Sequence, residues 1–160
     1  MVALRNKRPC LLVAKAKVSD MLGKSTVRVE MNGAVCVMRL AYRTIKSFNV
    51  EDLPERMWVF SDSETVLASR EKDSGFFGEY YGNRIGETFD YQEEIQKLVP
   101  VGYNGEWWHV SSENNAADRA SRLDSVPADL RIGSGWQTGP DYLCLEREEW
   151  PVDRNFADRI

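Results

Sequence analysis

A chain of 160 residues with 42% hydrophobic and 29% charged residues is long enough to bury a core and too apolar to be a disordered tail. No run approaches the roughly 18 apolar residues of a membrane span and no signal-peptide pattern opens the chain, so no membrane partner is expected and the protein reads as intracellular. The net charge of −4 hides an asymmetry: residues 1–50 carry ten Lys/Arg against two Asp/Glu, and residues 51–160 carry eleven against twenty-three. That basic first third suits phosphate contacts from Lys7, Arg8, Lys15, Lys17, Lys24 and Arg28, or equally a solvated hairpin. The acidic remainder excludes a protein that coats nucleic acid over its whole surface. Cys10, Cys36 and Cys144 are widely spaced and form no CxxC pair, which reads as reduced thiols rather than a disulfide frame or zinc site.

In chain order, residues 1–5 and 10–14 read as two strands around a turn at Asn6-Lys7-Arg8-Pro9, and residues 19–25 as a loop. From Val27 the period changes. Val27, Met31, Ala34, Val35, Met38, Ala41, Tyr42 and Ile45 predict an amphipathic helix, with Glu30 at its rim near the N-terminus. Met57-Trp58-Val59-Phe60-Ser61 is apolar on both faces and predicts an interior strand, with Trp58 in the core. Asp62 and Ser63 then stand ready to cap a short helix over 64–70. Residues 76–98 predict a mostly helical stretch weakened by Gly78, Gly82 and Gly86. Residues 100–105 predict a turn, 106–110 a short strand and 114–122 a short helix. From about Leu123 the chain is expected to be loop-like, which divides it into a domain at 1–123 and an extension at 124–160 packed on it.

Three acids stand out: Glu30 at a helix start, Asp62 at a strand end and Asp118 in a late short helix. Acids so distributed are what a two-metal nuclease site needs, because two divalent ions roughly 3.5–4 Å apart require hard oxygen ligands converging from distant segments. Each has a plainer reading by itself: a first-turn Glu favourable to the helix dipole, a helix N-cap, and a solvated helical acid. His109 is the only histidine, which leaves little material for a catalytic triad or zinc chemistry and favours a packed imidazole. Asp73-Ser74-Gly75 matches the aspartic-peptidase triplet, but no apolar strand leads into it, and that chemistry needs a buried, paired Asp. The tryptophans at 107, 108, 136 and 150 are expected to fasten the C-terminal segment rather than to stack on bases.

Taken together, Ala14-Lys15-Ala16-Lys17-Val18 ahead of Val27-Arg28-Val29-Glu30-Met31, then Ser61-Asp62-Ser63-Glu64-Thr65-Val66-Leu67, Asn83-Arg84-Ile85, Trp108-His109-Val110 with residues 115–122, Gly139-Pro140 and Trp150-Pro151 resemble the RNase H region of BEL/Pao-type LTR retrotransposon polyproteins. That lineage also carries the label of a Pao retrotransposon peptidase. Val27 and Ala116 stand where the family usually has Pro. The resemblance covers almost the whole chain. It implies an RNase H-like α/β fold with a mixed sheet flanked by helices. It also implies Glu30, Asp62 and Asp118 as catalytic ligands for Mg²⁺ or Mn²⁺. The implied substrate is the RNA strand of an RNA/DNA hybrid, with reverse transcriptase and other polyprotein segments as partners. A fourth acid is expected on the family's central first strand, and no Asp or Glu precedes Asp20 here. The expectation is therefore a fold lacking that strand and a chain inactive by itself, with a non-catalytic nucleic-acid- or protein-binding module as the alternative.

Overall fold

The computed structural model describes residues 1–5, 8–16, 25–72, 74–99, 105–121, 134–153, 155 and 156. Along the chain run β1 (Val2–Arg5), β2 (Arg8–Leu11), α1 (Thr26–Lys46), β3 (Trp58–Ser61), α2 (Glu64–Arg70), α3 (Glu79–Leu98), β4 (Glu106–Val110), α4 (Gly135–Thr138) and β5 (Val152–Asp153), joined by short 3₁₀ turns. This is an α/β protein. It divides into two units, one of residues 1–18 and 110–153, the other of residues 19–109 and 154–160.

The second unit is built on α1. Ser25 caps it by accepting from the Arg28 N–H at 3.4 Å, and Arg43 and Lys46 in the last turn suit the negative end of the dipole. Its stripe of Met31, Ala34, Val35, Met38, Ala41 and Ile45 is buried, mainly against α3, which buries Ile85, Thr88 and Ile95 in return. Met31, Ala34, Val66 and Ile85 form the centre of this core, with Phe77, Tyr81, Phe89 and Trp107 half-buried around it. Thr88 lies 1% exposed and is satisfied by donating to the Ile85 carbonyl at 2.7 Å and accepting from Arg70.

The strand over 57–61 is less buried than expected. β3 pairs in parallel with β4, Trp58 opposite Glu106 and Ser61 opposite His109, and has no second partner strand among the described residues. Only Val59 of β3 is buried, and Trp58 is half-buried, donating its indole N–H to Glu106 Oε2 at 3.0 Å. An unbroken apolar run does not distinguish an interior strand from an edge strand, because aromatic side chains cover an edge as well as they fill a core. Trp108 carries the burial instead, packed 6.1 Å from the Trp58 ring and 6.0 Å from that of Phe60.

In the first unit β1 and β2 form an antiparallel hairpin with Val2 opposite Leu11 and Arg5 opposite Arg8. The α4 segment and the 3₁₀ turn Asp141–Cys144 pack on β2. Gly139, at φ 78°, passes so near the hairpin that a Cβ would stand 3.2 Å from Val2 Cγ1 and 3.3 Å from Pro9 Cβ. Leu143 and Trp150 are buried here, and the Trp150 indole N–H reaches the Leu145 carbonyl at 3.3 Å. The turn over 100–104, the Leu123 boundary and Asp73 of the Asp-Ser-Gly triplet lie outside the described residues.

Two glycines of α3 separate helix propensity from packing. A Cβ at Gly82 would stand 2.6 Å from the Ser74 carbonyl oxygen, whereas at Gly86 it would meet nothing within 4 Å. Gly86→Ala is therefore expected to stabilise the protein by roughly 0.5–1 kcal/mol, and Gly82→Ala to destabilise it despite the same propensity gain. Urea denaturation of both variants checks the opposite signs.

Candidate functional site

β3 ends at Ser61, and the turn that follows is held locally. The Ser63 N–H donates to Ser61 Oγ at 3.1 Å, and Ser63 Oγ accepts from the Val66 N–H at 3.2 Å to cap α2. The same hydroxyl donates to Glu30 Oε2 at 2.7 Å. Ser63, only 9% exposed, therefore joins the start of α2 to the second turn of α1 across thirty-three residues of sequence. Glu30 and Asp62 are each half-buried. Glu30 Oε1 has no hydrogen-bond partner among the described residues, which leaves one carboxylate oxygen open beside the Asp62 turn.

Asp118 belongs to the first unit, in the 3₁₀ turn Ala116–Ser121. Its N–H donates to the Asn115 carbonyl at 3.0 Å, and Asn115 Oδ1 accepts from the Ala117 N–H at 3.2 Å, so Asn115 shapes the entry to that turn. Among the described residues no three His, Cys, Asp or Glu side chains gather closely enough to hold a metal ion. His109 is half-buried and stacks on Phe156 with centroids 4.9 Å apart, the packed role its position predicts.

Of the basic candidates, Lys15 and Arg28 are exposed, Arg8 is a strand residue of β2, and Lys7, Lys17 and Lys24 lie outside the described residues. Arg28 is not isolated. Its guanidinium sits 4.7 Å from the centroid of the Tyr80 ring, and that of Arg84 sits 5.7 Å from the same ring. The Tyr80 hydroxyl donates to Asn32 Oδ1 at 3.1 Å. Further along the α1–α3 seam Arg84 donates to Glu87 Oε2 at 2.8 Å, Arg39 donates to Glu87 Oε1, and Tyr42 packs 5.6 Å from Tyr91. Sequence reasoning missed Asn32, Arg39, Tyr80, Arg84 and Glu87. The signal was the matching spacing of 28, 32, 35 and 39 on one helix and 80, 84, 87 and 91 on the other, each i, i+4, i+7, i+11, but the pairing of the two edges is tertiary.

Burial alone would raise the Glu87 pKa; hydrogen bonds and charge from Arg39 and Arg84 outweigh it and hold the carboxyl below its ordinary 4.5. A second clamp closes the far end of α2. The Arg70 guanidinium lies between the rings of Phe89 at 4.3 Å and Trp107 at 4.4 Å, and donates to Thr88 Oγ1 and to Gln92 Oε1. It holds α2, α3 and β4 in one arrangement and so fixes the frame that carries Asp62 and Ser63.

Comparisons with protein-family models, curated proteins and solved structures give no match.

Two outcomes follow from these bonds. Removing the Ser63 hydroxyl takes away both a cap and a partner of Glu30, so Ser63→Ala is expected to cost about 1–2 kcal/mol. A double-mutant cycle with Glu30→Ala, read by chemical denaturation, should give a coupling of at least about 0.5 kcal/mol, and additivity would dissolve the link. Because the Glu87 pKa is depressed on folding, its contribution is complete above its ordinary 4.5 and is lost as pH falls through the folded value. Glu87→Gln should therefore lower stability at neutral pH and flatten the acid limb of the stability–pH curve.

Proposed function

We propose that this chain is an RNase H-like domain of BEL/Pao retrotransposon descent. In this reading its ancestral reaction is hydrolysis of the RNA strand of an RNA/DNA hybrid during reverse transcription, alongside reverse transcriptase and other polyprotein segments. The supporting observation is the Ser63–Glu30 hydrogen bond, which places the Glu30 carboxylate at the turn after a parallel strand, beside Asp62. The carboxyl ends of parallel strands are where α/β sheets bind their ligands.

The donor chemistry fits Mg²⁺ or Mn²⁺. Carboxylates are the hard oxygen ligands these ions take, and Glu30 Oε1 is left open while its partner oxygen is anchored. Glu30 and Asp62 would hold the metal, Asp118 being the third ligand that the resemblance implies, and the ion would supply Lewis-acid stabilisation of charge in phosphodiester displacement. The protein's own contribution is placement. Ser63 fixes the Glu30 rotamer, and the capped start of α2 fixes the backbone of Asp62.

A second reading is favoured by one specific fact: β1 and β2 carry no acid, and none occurs in residues 1–19. The residues of this chain therefore supply three of the four acids of the family site. A non-catalytic module that binds nucleic acid or protein is the alternative to an active nuclease.

For the 160-residue chain the expected outcome is weak Mn²⁺ binding without hybrid cleavage. Paramagnetic broadening by Mn²⁺ should centre on Glu30 and Asp62 and disappear in Asp62→Asn. Broadening elsewhere sinks the metal assignment. Hybrid cleavage by the wild-type chain that vanishes in Asp62→Asn would establish an active enzyme and remove the second reading.

A further inference from the structure

We infer that the edge where the N-terminal turns of α1 and α3 meet is a phosphate-binding surface, built from Arg28, Arg84, Tyr80 and Asn32, that takes the backbone of a nucleic-acid duplex. The identity of the duplex as an RNA/DNA hybrid rests on the proposed function; the charge arrangement does not.

The first observation is the charge balance. Three guanidinium groups, those of Arg28, Arg39 and Arg84, lie along this seam against the single carboxylate of Glu87, which Arg39 and Arg84 share. Arg28 is exposed and takes part in no ion pair among the described residues. Glu87 also lines an adjoining groove along α3 with Glu79, Asp90, Gly82 and Gly86, so the acids lie to one side of the seam and the Arg28 end carries none of them.

The second observation is preorganisation. Both Arg28 and Arg84 sit over the Tyr80 ring, at 4.7 and 5.7 Å, and the ring is itself held by its hydroxyl's hydrogen bond to Asn32 Oδ1 at 3.1 Å. A guanidinium stacked on an aromatic face has already lost much of its rotamer freedom, and its planar fork of donors matches phosphate oxygens. A surface arginine that served only as solvated charge would need neither the ring nor the anchored hydroxyl.

The third observation is position. Arg28 and Asn32 bracket Glu30 in the first two turns of α1, but two-residue steps put Glu30 on the opposite flank of the helix. Side chains on opposite flanks of a helix are separated by about its diameter, about 10–12 Å. That is too far for one phosphate and is covered by a few nucleotides of a duplex strand at about 3.4 Å rise each. The cluster therefore holds backbone at a neighbouring nucleotide and sets the register of the strand; it does not touch a reacting phosphate at the carboxylates.

The test is a fluorescence-anisotropy titration of a labelled RNA/DNA hybrid over a salt series, using the full chain. Arg28→Ala is expected to weaken binding several-fold and to lower the slope of log K against log salt by about one, and Arg28→Ala/Arg84→Ala by about two. Arg28→Lys should restore most of the slope, because charge rather than packing sets it. Arg28 is exposed, and Arg28→Glu gives a second reading of the same site that leaves the helix intact, checked by circular dichroism. Salt slopes in Arg28→Ala and Arg28→Glu equal to wild type, or no hybrid binding by the wild-type chain, would overturn the proposal. Asp62→Asn separates the two readings: it should leave the salt slope unchanged while abolishing the Mn²⁺ response. Loss of slope in the arginine variants without any Mn²⁺ response in the wild type would keep this surface and discard the metal site.

Discussion

The dry contact between α1 and α3 is the constraint on which the second unit depends. Met31, Ala34 and Ile85, joined by Val66 of α2, lose almost all contact with water, and each large side chain buried in this way contributes on the order of 1.5–3 kcal/mol. The contact needs both helices to present an apolar stripe at the same height. With α1 and α3 locked, their polar edges are placed without further adjustment. The Arg–Tyr seam is the partly exposed margin of the same interface, where polar side chains of the two helices meet.

Polar groups then decide details that apolar packing leaves open. Arg70 is the tie between α2, α3 and β4, and its guanidinium is acceptable in a half-buried place because two rings face it and Thr88 and Gln92 accept its N–H groups. Ser63 plays the corresponding role at the other end of α2. One hydroxyl there satisfies a helix N–H and a carboxylate together, so the cap of α2 and the orientation of Glu30 are a single structural fact. Disturbing either end would shift the turn that carries Asp62, so the placement of that side chain depends on the rigidity of a seven-residue helix.

Much of the local structure was legible in the residues. The stripe from Val27 to Ile45 defined α1 to within a residue at each end, Ser63 marked the start of α2, and the run Glu106 to Val110 is β4 as expected. Each of these is set by short-range physics: a 3.6-residue period, a hydroxyl that competes for a free N–H, and an apolar run bounded by a turn. The acids at 30 and 62 were legible as acids in helix-start and strand-end positions for the same reason.

What required the tertiary structure were the statements about partners. The composition of β3 could not say that among the described residues it pairs on one side only, because an aromatic run is compatible with an edge or an interior, nor that Trp58 would give its N–H to Glu106. Nor could the spacing of Arg28 and Asn32 say that Tyr80 would lie across from them, or that Glu30 would find Ser63 rather than water. The sequence by itself determined the periods, the caps and the charge asymmetry, since those depend on neighbours within one turn. Which edge meets which was decided only by the folded chain, because a contact between residues 30 and 63 or 28 and 80 exists only after the intervening helices have packed.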